Sequence, residues 1–414
     1  MRVASNLLWM LAERGLQVGG GIAIVAMLAR ALGPSGFAHF QYAQSIVLIA
    51  GSFAFVCGAE VVVPRLVAAP GAATQHRLLA HAFLLRLAGG VAGYLLMCVY
   101  LGVTSPGPDV WHAALWLGIA ILLREPFGVV IAWMQAHTNN RPNTLFSLTA
   151  LVVKAILVGS LFAAGIHEIT GYVAAFALEA MVSAVLLTSY YFIRVPDRDF
   201  AWHPPQAREL VGAGMLFWGS FILMMCARRV DQLVLQPSVS AVDFGAYAAC
   251  MQILDNFTMV ATILVAGIAP SYIYARTTFA DAHARIGRVA FGIGALGLVG
   301  GLAIAACAPW IVHLLYGSAF GTTVTLLRIA AAASALVFAD VALTLLAVHL
   351  RRPRWVTMKW TLVLVTTLVF DLLTIPRLGV WGAIAGYALG NGMAVMVGMA
   401  LWWRHRPTPG MASA

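Results

Sequence analysis

Runs of about 20 apolar residues follow one another along almost the whole chain, and a helix rising ~1.5 Å per residue needs about that many to cross a hydrocarbon core. Of the 414 residues, 62% are hydrophobic and only 10% charged, whereas a soluble domain carries roughly a quarter charged residues. Such a chain cannot cover a globule with polar surface, so lipid is its expected solvent. Lipid leaves backbone N–H and C=O groups without water partners, which restricts the spans to helices or a closed barrel. The alternating patterns of barrel strands, about ten residues long, are absent, and an all-α integral membrane protein follows.

Breaks between the apolar runs place about twelve spans, near residues 7–30, 38–63, 78–103, 110–135, 145–165, 170–193, 208–235, 244–270, 286–312, 322–350, 355–376 and 379–403. The first is too long for a cleaved signal peptide and lacks a small-residue cleavage site after a short apolar core. Alternate connections carry Arg65 and Arg77, Arg141, Arg194 with Arg198 and Arg208, Arg276 and Arg285, and Arg351 with Arg352 and Arg354, and Arg404 and Arg406 follow the last span. The other set holds Asp109, His167 with Glu168 and Asp243, and only Arg30 and Arg377 as basic residues. Basic residues in short loops stay cytoplasmic. Both termini are therefore expected in the cytoplasm, and an inner-membrane protein is implied.

The longest polar stretch, Arg194 to Glu209, contains Pro196, Pro204 and Pro205 and falls at mid-chain. Shifted by half its length, the sequence sets Phe37, Phe40 and Ile46 against Phe244, Tyr247 and Ile253, each group opening the second span of its half. The expected architecture is two six-helix lobes, residues 1–193 and 209–414, around a central cavity and joined by a cytoplasmic linker at 194–208. Chance similarity between two apolar helices is the competing reading of the repeat.

Several motifs are weaker than they look. A net charge of +10 invites nucleic acid, but only Lys154 and Lys359 are lysines and the other 23 of 25 basic residues are arginines scattered singly. No basic tract with interleaved aromatics is present, so no nucleic-acid partner is expected. Cys57, Cys98, Cys226, Cys250 and Cys307 sit in apolar runs without CxxC spacing and read as packing residues. Gly292, Gly294 and Gly297 spell GxGxxG without a preceding strand, and Gly382, Gly386 and Gly390 recur every four residues; both sets read as close helix packing. Asp197 and Asp199 form a DxD pair in a loop too short to support nucleotide chemistry. Eleven histidines show no metal-ligand spacing, so neither metal nor cofactor is expected.

Charges at lipid depth carry more information, because each costs about 2.5–3.5 kcal/mol or more at a helix centre unless it meets a partner or a cavity. Glu13, Arg14, Glu60, Arg124, Glu125, Lys154, Arg228, Arg229, Asp231, Asp255, Arg328, Asp340 and Asp371 all fall inside spans. A wet cavity between the lobes, positive on balance, accounts for so many together, and a guanidinium suits an anionic phosphate headgroup. Isolated ion pairs, or side chains snorkelling to the interface, are the structural alternative for each one.

Three stretches resemble the polysaccharide-exporter branch, which includes the O-antigen flippases, of the multidrug/oligosaccharidyl-lipid/polysaccharide flippase superfamily. In RGLQVGGGIAIVAMLARALGPSGFAHFQYAQSI, Arg30, Leu32, Gly33, Pro34 and Phe37 match, while Ala38 and Phe40 depart from the usual Gly and Tyr. In RRVDQLVLQPSVSAVDFGAYAACMQI, Asp231, Gly245 and Tyr247 match. The third runs from LLYGSAF to IPRLGVWGAIAGYALG, similar to a Tyr-Gly-x-x-Phe turn after helix nine and a Leu-Gly-x-x-Gly-Ala opening of helix twelve. The resemblance implies a flippase carrying a polyprenyl-diphosphate-linked oligosaccharide across the bacterial inner membrane by alternating access. Membrane lipids, glycan polymerase and chain-length proteins are the implied partners. Arg30 and Asp231 carry over as family positions; Arg14, Arg124, Arg228, Arg229 and Arg328 join as cavity candidates, with Glu60, Asp231, Asp255 and Asp340 as ion-coupling candidates.

Two other functions compete. A cation-coupled exporter of small drugs in the same superfamily suits the acidic residues and not the basic excess. An integral-membrane glycan polymerase or ligase needs a large outward loop, whereas here His167, His313 and Arg377 stand in short loops without a supporting constellation, so a non-enzyme is expected.

Overall fold

A computed structural model describes residues 2–69, 71–195, 201–275 and 278–407, with side chains from residue 15 onward. The described residues form helices and turns, without strands. Fourteen helices follow in order: α1 (Arg2–Gly51), α2 (Ala59–Ala68), α3 (Ala72–Thr104), α4 (Pro108–Phe127), α5 (Val129–Ala136), α6 (Arg141–Ala163) and α7 (Ile169–Arg194), then α8 (Pro204–Leu235), α9 (Ala241–Ala269), α10 (Phe279–Tyr316), α11 (Gly321–Ala330), α12 (Ser334–His349), α13 (Pro353–Leu378) and α14 (Val380–Arg404).

Eleven helical stretches among the described residues are long and apolar enough to cross a membrane. The first, Gly15–Ala68, contains most of α1, whose 50 residues make about 75 Å of helix against a core of ~30 Å. It suffices for two crossings, which reconciles eleven stretches with the twelve spans expected. The division falls at Gly33, whose φ of 65° and ψ of −179° lie outside the helical region. Pro34 follows it, and a residue before proline is pushed out of the α region while glycine alone accepts the positive φ at no cost. Short helices α4 with α5, and α11 with α12, each make up one expected span. Phe291 and Val103 are 81% and 80% exposed, a degree of apolar exposure that only lipid contact makes favourable. The chain is a multi-pass α-helical membrane protein.

One correction concerns the second span. The sequence runs it on through Glu60, but the helix ends in a 3₁₀ turn, Ser52–Phe55, and Cys57 takes φ 62° before α2 begins. Glu60 therefore stands exposed in the first turn of a separate short helix, where a carboxylate complements the helix dipole.

Two compact units divide the chain, Met1–Met225 and Cys226–Ala414. In the first, α1 packs on α4 and α6, α4 packs on α3 and α7, and α2 rests on α5. Its core gathers Cys57, Val62, Leu66, Ala82 and Met134. In the second, α10 packs on α12, α12 on α9 and α14, and α13 on α14, around Ala261, Ile273, Ile286 and Phe338. Ser240 and Thr278 cap α9 and α10 by accepting from the amides of Asp243 and Asp281 at 3.1 and 3.3 Å. The linker residues Asp197 and Asp199 lie outside the described residues.

Candidate functional site

In the second unit a pocket opens between α8, α9, α12, α13 and α14. The last turns of α8 deliver Arg228, Arg229, Asp231 and Gln232, and α9 adds Asp255 and Thr258. Trp360 and Thr367 come from α13, and Gly386, Tyr387, Gly390 and Asn391 from α14. Helical spacing explains the grouping of α8, since residues 228, 231 and 232 are three and four apart and share one face.

The glycine repeat of α14 sets how closely its neighbour approaches. Gly382 faces the backbone of Thr374 and Ile375, Gly386 faces Asp371 and Gly390 faces Thr367. These partners step back along α13 as the glycines step forward along α14, as expected of an antiparallel pair. The stripe read as packing is therefore packing, and two of its members also form the pocket wall.

Within the pocket the charges are not equivalent. Arg229 donates to Asp255 Oδ2 at 2.8 Å. Arg228 is exposed, with its guanidinium 5.9 Å from the centre of the Trp360 ring, and no carboxylate among the described residues pairs with it. Asp231 is 7% exposed and accepts from the Tyr247 hydroxyl in a short hydrogen bond. Asp371, fully buried beside Gly386, has no hydrogen-bond partner on either carboxylate oxygen among the described residues. Gly386, which it abuts, lines the same pocket as Asp231.

The structure thus brings Arg228, Arg229, Asp231 and Asp255 together. The remaining candidates lie elsewhere. Asp340 is held in a buried pair with Lys359 at 2.8 Å, and Lys359 also donates to Thr344. Arg328 is exposed on α11 and does not line the pocket. Arg30 is exposed three residues before the break at Gly33, and the Arg14 side chain lies outside the described residues.

In the first unit, Arg124 and Lys154 converge on one carboxylate, Glu179, at 3.4 and 2.8 Å. Lys154 also sits 4.6 Å from the centre of the Phe176 ring, which in turn packs on Phe40. Arg86 is 5% exposed and donates to the Cys57 carbonyl at 3.1 and 2.8 Å and to the Glu125 carbonyl at 3.1 Å, bracing the break before α2. Two residues outside the sequence expectation take part in these pairs with opposite sign: Glu179 offsets Arg124 and Lys154, and Lys359 neutralises Asp340.

Solved structures of membrane transporters share the fold of this bundle. One structure of similar fold is the inward-facing conformation of a multidrug resistance MATE family transporter of the MOP superfamily (TM-score 0.75, 13% identity, 94% of each chain covered). Another is the lipid II flippase MurJ in an inward closed conformation (TM-score 0.70, 12% identity, 95% of this chain and 87% of that one). A third is a MOP superfamily transporter from Pyrococcus furiosus Vc1 with a binding pocket of reverse polarity (TM-score 0.67, 14% identity, 98% and 95%). No curated protein sequence matches the chain. The family model described as polysaccharide biosynthesis protein matches residues 3–273, well over half the chain, and the chain belongs to that family.

Proposed function

We propose that the protein is a flippase for a lipid-linked oligosaccharide, with a polyprenyl diphosphate as the anionic anchor of its cargo. Arg228 is the observation that carries this reading. A cation held at membrane depth without a carboxylate is costly, and an anionic visitor that accepts from a planar guanidinium offsets the cost. Membership of a polysaccharide biosynthesis family and the fold shared with a lipid II flippase support the same direction. Asp231 and the neighbouring Asp371 are the groups assigned to the coupling ion. A membrane transporter without a chemical step, sited in the bacterial inner membrane with its termini in the cytoplasm, completes the proposal.

Export of a small cationic compound is the second reading, favoured by the unpartnered carboxylate of Asp371 and by the fold shared with a multidrug transporter. The experiment that separates them is gene deletion followed by analysis of polyprenyl-linked intermediates. Accumulation of a complete repeat unit on the inner leaflet supports the flippase. Unchanged intermediates, together with new sensitivity to cationic dyes, would replace it with the exporter. A truncated repeat would point instead to a glycan-joining enzyme.

A further inference from the structure

Each unit fastens the third span of its half with a histidine stacked on a tryptophan. In the first unit His81 of α3 stacks on Trp202, 4.8 Å between ring centroids at 13°. In the second, His283 of α10 stacks on Trp402, 4.6 Å apart at 11°. The histidines are 202 positions apart and the tryptophans 200, close to the half-length shift that aligns the second spans. Both imidazoles are buried, at 0% and 4% exposure.

Their hydrogen bonds differ in kind. His81 Nε2 accepts from the backbone N–H of His203 at 2.9 Å, and His81 Nδ1 lies 2.7 Å from the Arg77 carbonyl. A carbonyl only accepts and an amide only donates, so the partners require the neutral ring with its proton on Nδ1. A second proton on Nε2 would face the His203 N–H, donor against donor. His283 Nε2 instead lies 2.8 Å from the Trp402 carbonyl, while the Trp402 indole donates to the His283 carbonyl at 3.1 Å. There Nε2 is the donor, and a proton added at Nδ1 leaves that bond in place.

We propose that the His81 clasp is a proton-operated latch on the chain entering α8: the neutral ring holds residues 201–203 against α3, and protonation releases them, while the matching clasp holds α14 to α10 in either state. The latched segment begins α8, since the His203 carbonyl accepts from the Ala207 amide. Among the described residues, the charged groups and imidazoles at this end of α3 are its own His76, Arg77 and Arg86, then Glu60 and Arg65 of α2, Arg124 and Glu125 of α4, Arg194 in the last turn of α7, whose Tyr191 bonds His76, and His203, Arg208 and Glu209 leading into α8. Helix α5 brings none. Arg65 is paired with Glu209 at 3.1 Å, Arg86 binds the Cys57 carbonyl, and His76 bonds Tyr191 at 2.8 Å. The latch is independent of what the protein carries.

Hydrogen exchange of the full chain in lipid nanodiscs tests it, read at about pH 7.5 and about pH 5.5 with labelling times scaled to the intrinsic chemistry. Protection of the amides in 201–207 should fall about tenfold in acid, the loss of one such hydrogen bond, while protection in 398–405 stays constant. His81→Gln, which keeps an acceptor and takes no proton, should abolish the acid response. Equal protection of 201–207 at both pH values, an equal loss in both segments, or an unchanged acid response in His81→Gln would each overturn the latch. The comparison of the two segments in the native chain decides the matter even if the variant does not fold.

Discussion

The Tyr247 hydroxyl donates to Asp231 Oδ2, joining the start of α9 to the end of α8. The two residues are 16 apart and both belong to the second motif of the family resemblance, so the motif is a contact as well as a spacing. Tyr247 is fully buried and Asp231 almost so, and removing the donor leaves a buried acceptor short of a partner. Tyr247→Phe should cost about 1–3 kcal/mol of stability, read as a lower thermal midpoint in detergent. Asp231→Asn still accepts from the hydroxyl, so it should keep that midpoint while abolishing ion-dependent transport. Full transport by a stable Asp231→Asn chain would remove Asp231 from the coupling role.

Adjacent arginines on α8 should behave differently. Arg228 pairs with no carboxylate among the described residues and lines the pocket, so Arg228→Ala should lower transport at least about tenfold with expression and melting unchanged. Arg228→Lys should recover only part of the loss if phosphate is gripped by two donors. Arg229→Ala strands Asp255, its partner at 2.8 Å, and should lower the melting temperature, with the double change Arg229→Ala/Asp255→Ala restoring much of it. Transport assays on inverted vesicles beside melting curves separate these outcomes.

The Lys154 and Glu179 pair is a structural device, and that too is testable. Lys154 is 7% exposed, and breaking a buried pair from one side costs about 3–5 kcal/mol because the other charge stays buried. Lys154→Ala leaves Glu179 only the more distant Arg124, at 3.4 Å, and should destabilise the first unit by less than a fully broken pair. The double replacement Lys154→Met/Glu179→Leu substitutes apolar volume for both charges and should be near neutral in stability. A double variant as unstable as the single one would argue for a further role of the pair.

These pairs show what the sequence makes legible. Twelve spans are readable because a 20-residue apolar period is local information, and Gly33 and Gly379, both in resemblance motifs, mark turns where φ is positive. Grouping of Arg228, Arg229, Asp231 and Asp255 is legible for the same reason, since three of them share one helix end. Glu179, Lys359 and Arg86 were missed because their partners stand on other helices, 25, 19 and 29 positions away, and no spacing rule pairs residues across such distances. Glu60 reads as part of a span because the break before it depends on a non-glycine residue, Cys57, at positive φ, with Arg86 bound to its carbonyl. Asp371 was visible as a charge at lipid depth, but its place behind the pocket follows only from the packing of α13 on α14.

That packing supplies the last prediction. A methyl group at Gly386 would overlap Asp371 Oδ1, so Gly386→Ala must push a buried carboxylate aside or separate α13 from α14. Small residues at such contacts let helix backbones approach, and overpacking typically costs about 1–3 kcal/mol. Gly386→Ala should lower both the melting temperature and transport. Asp371→Ala removes the obstructing carboxylate, so the double variant Gly386→Ala/Asp371→Ala should regain the melting temperature of the native chain. Transport should stay low in the double variant, because the restored fit comes at the loss of the carboxylate assigned to the coupling ion. Recovery of transport along with stability would show that Asp371 acts through packing alone.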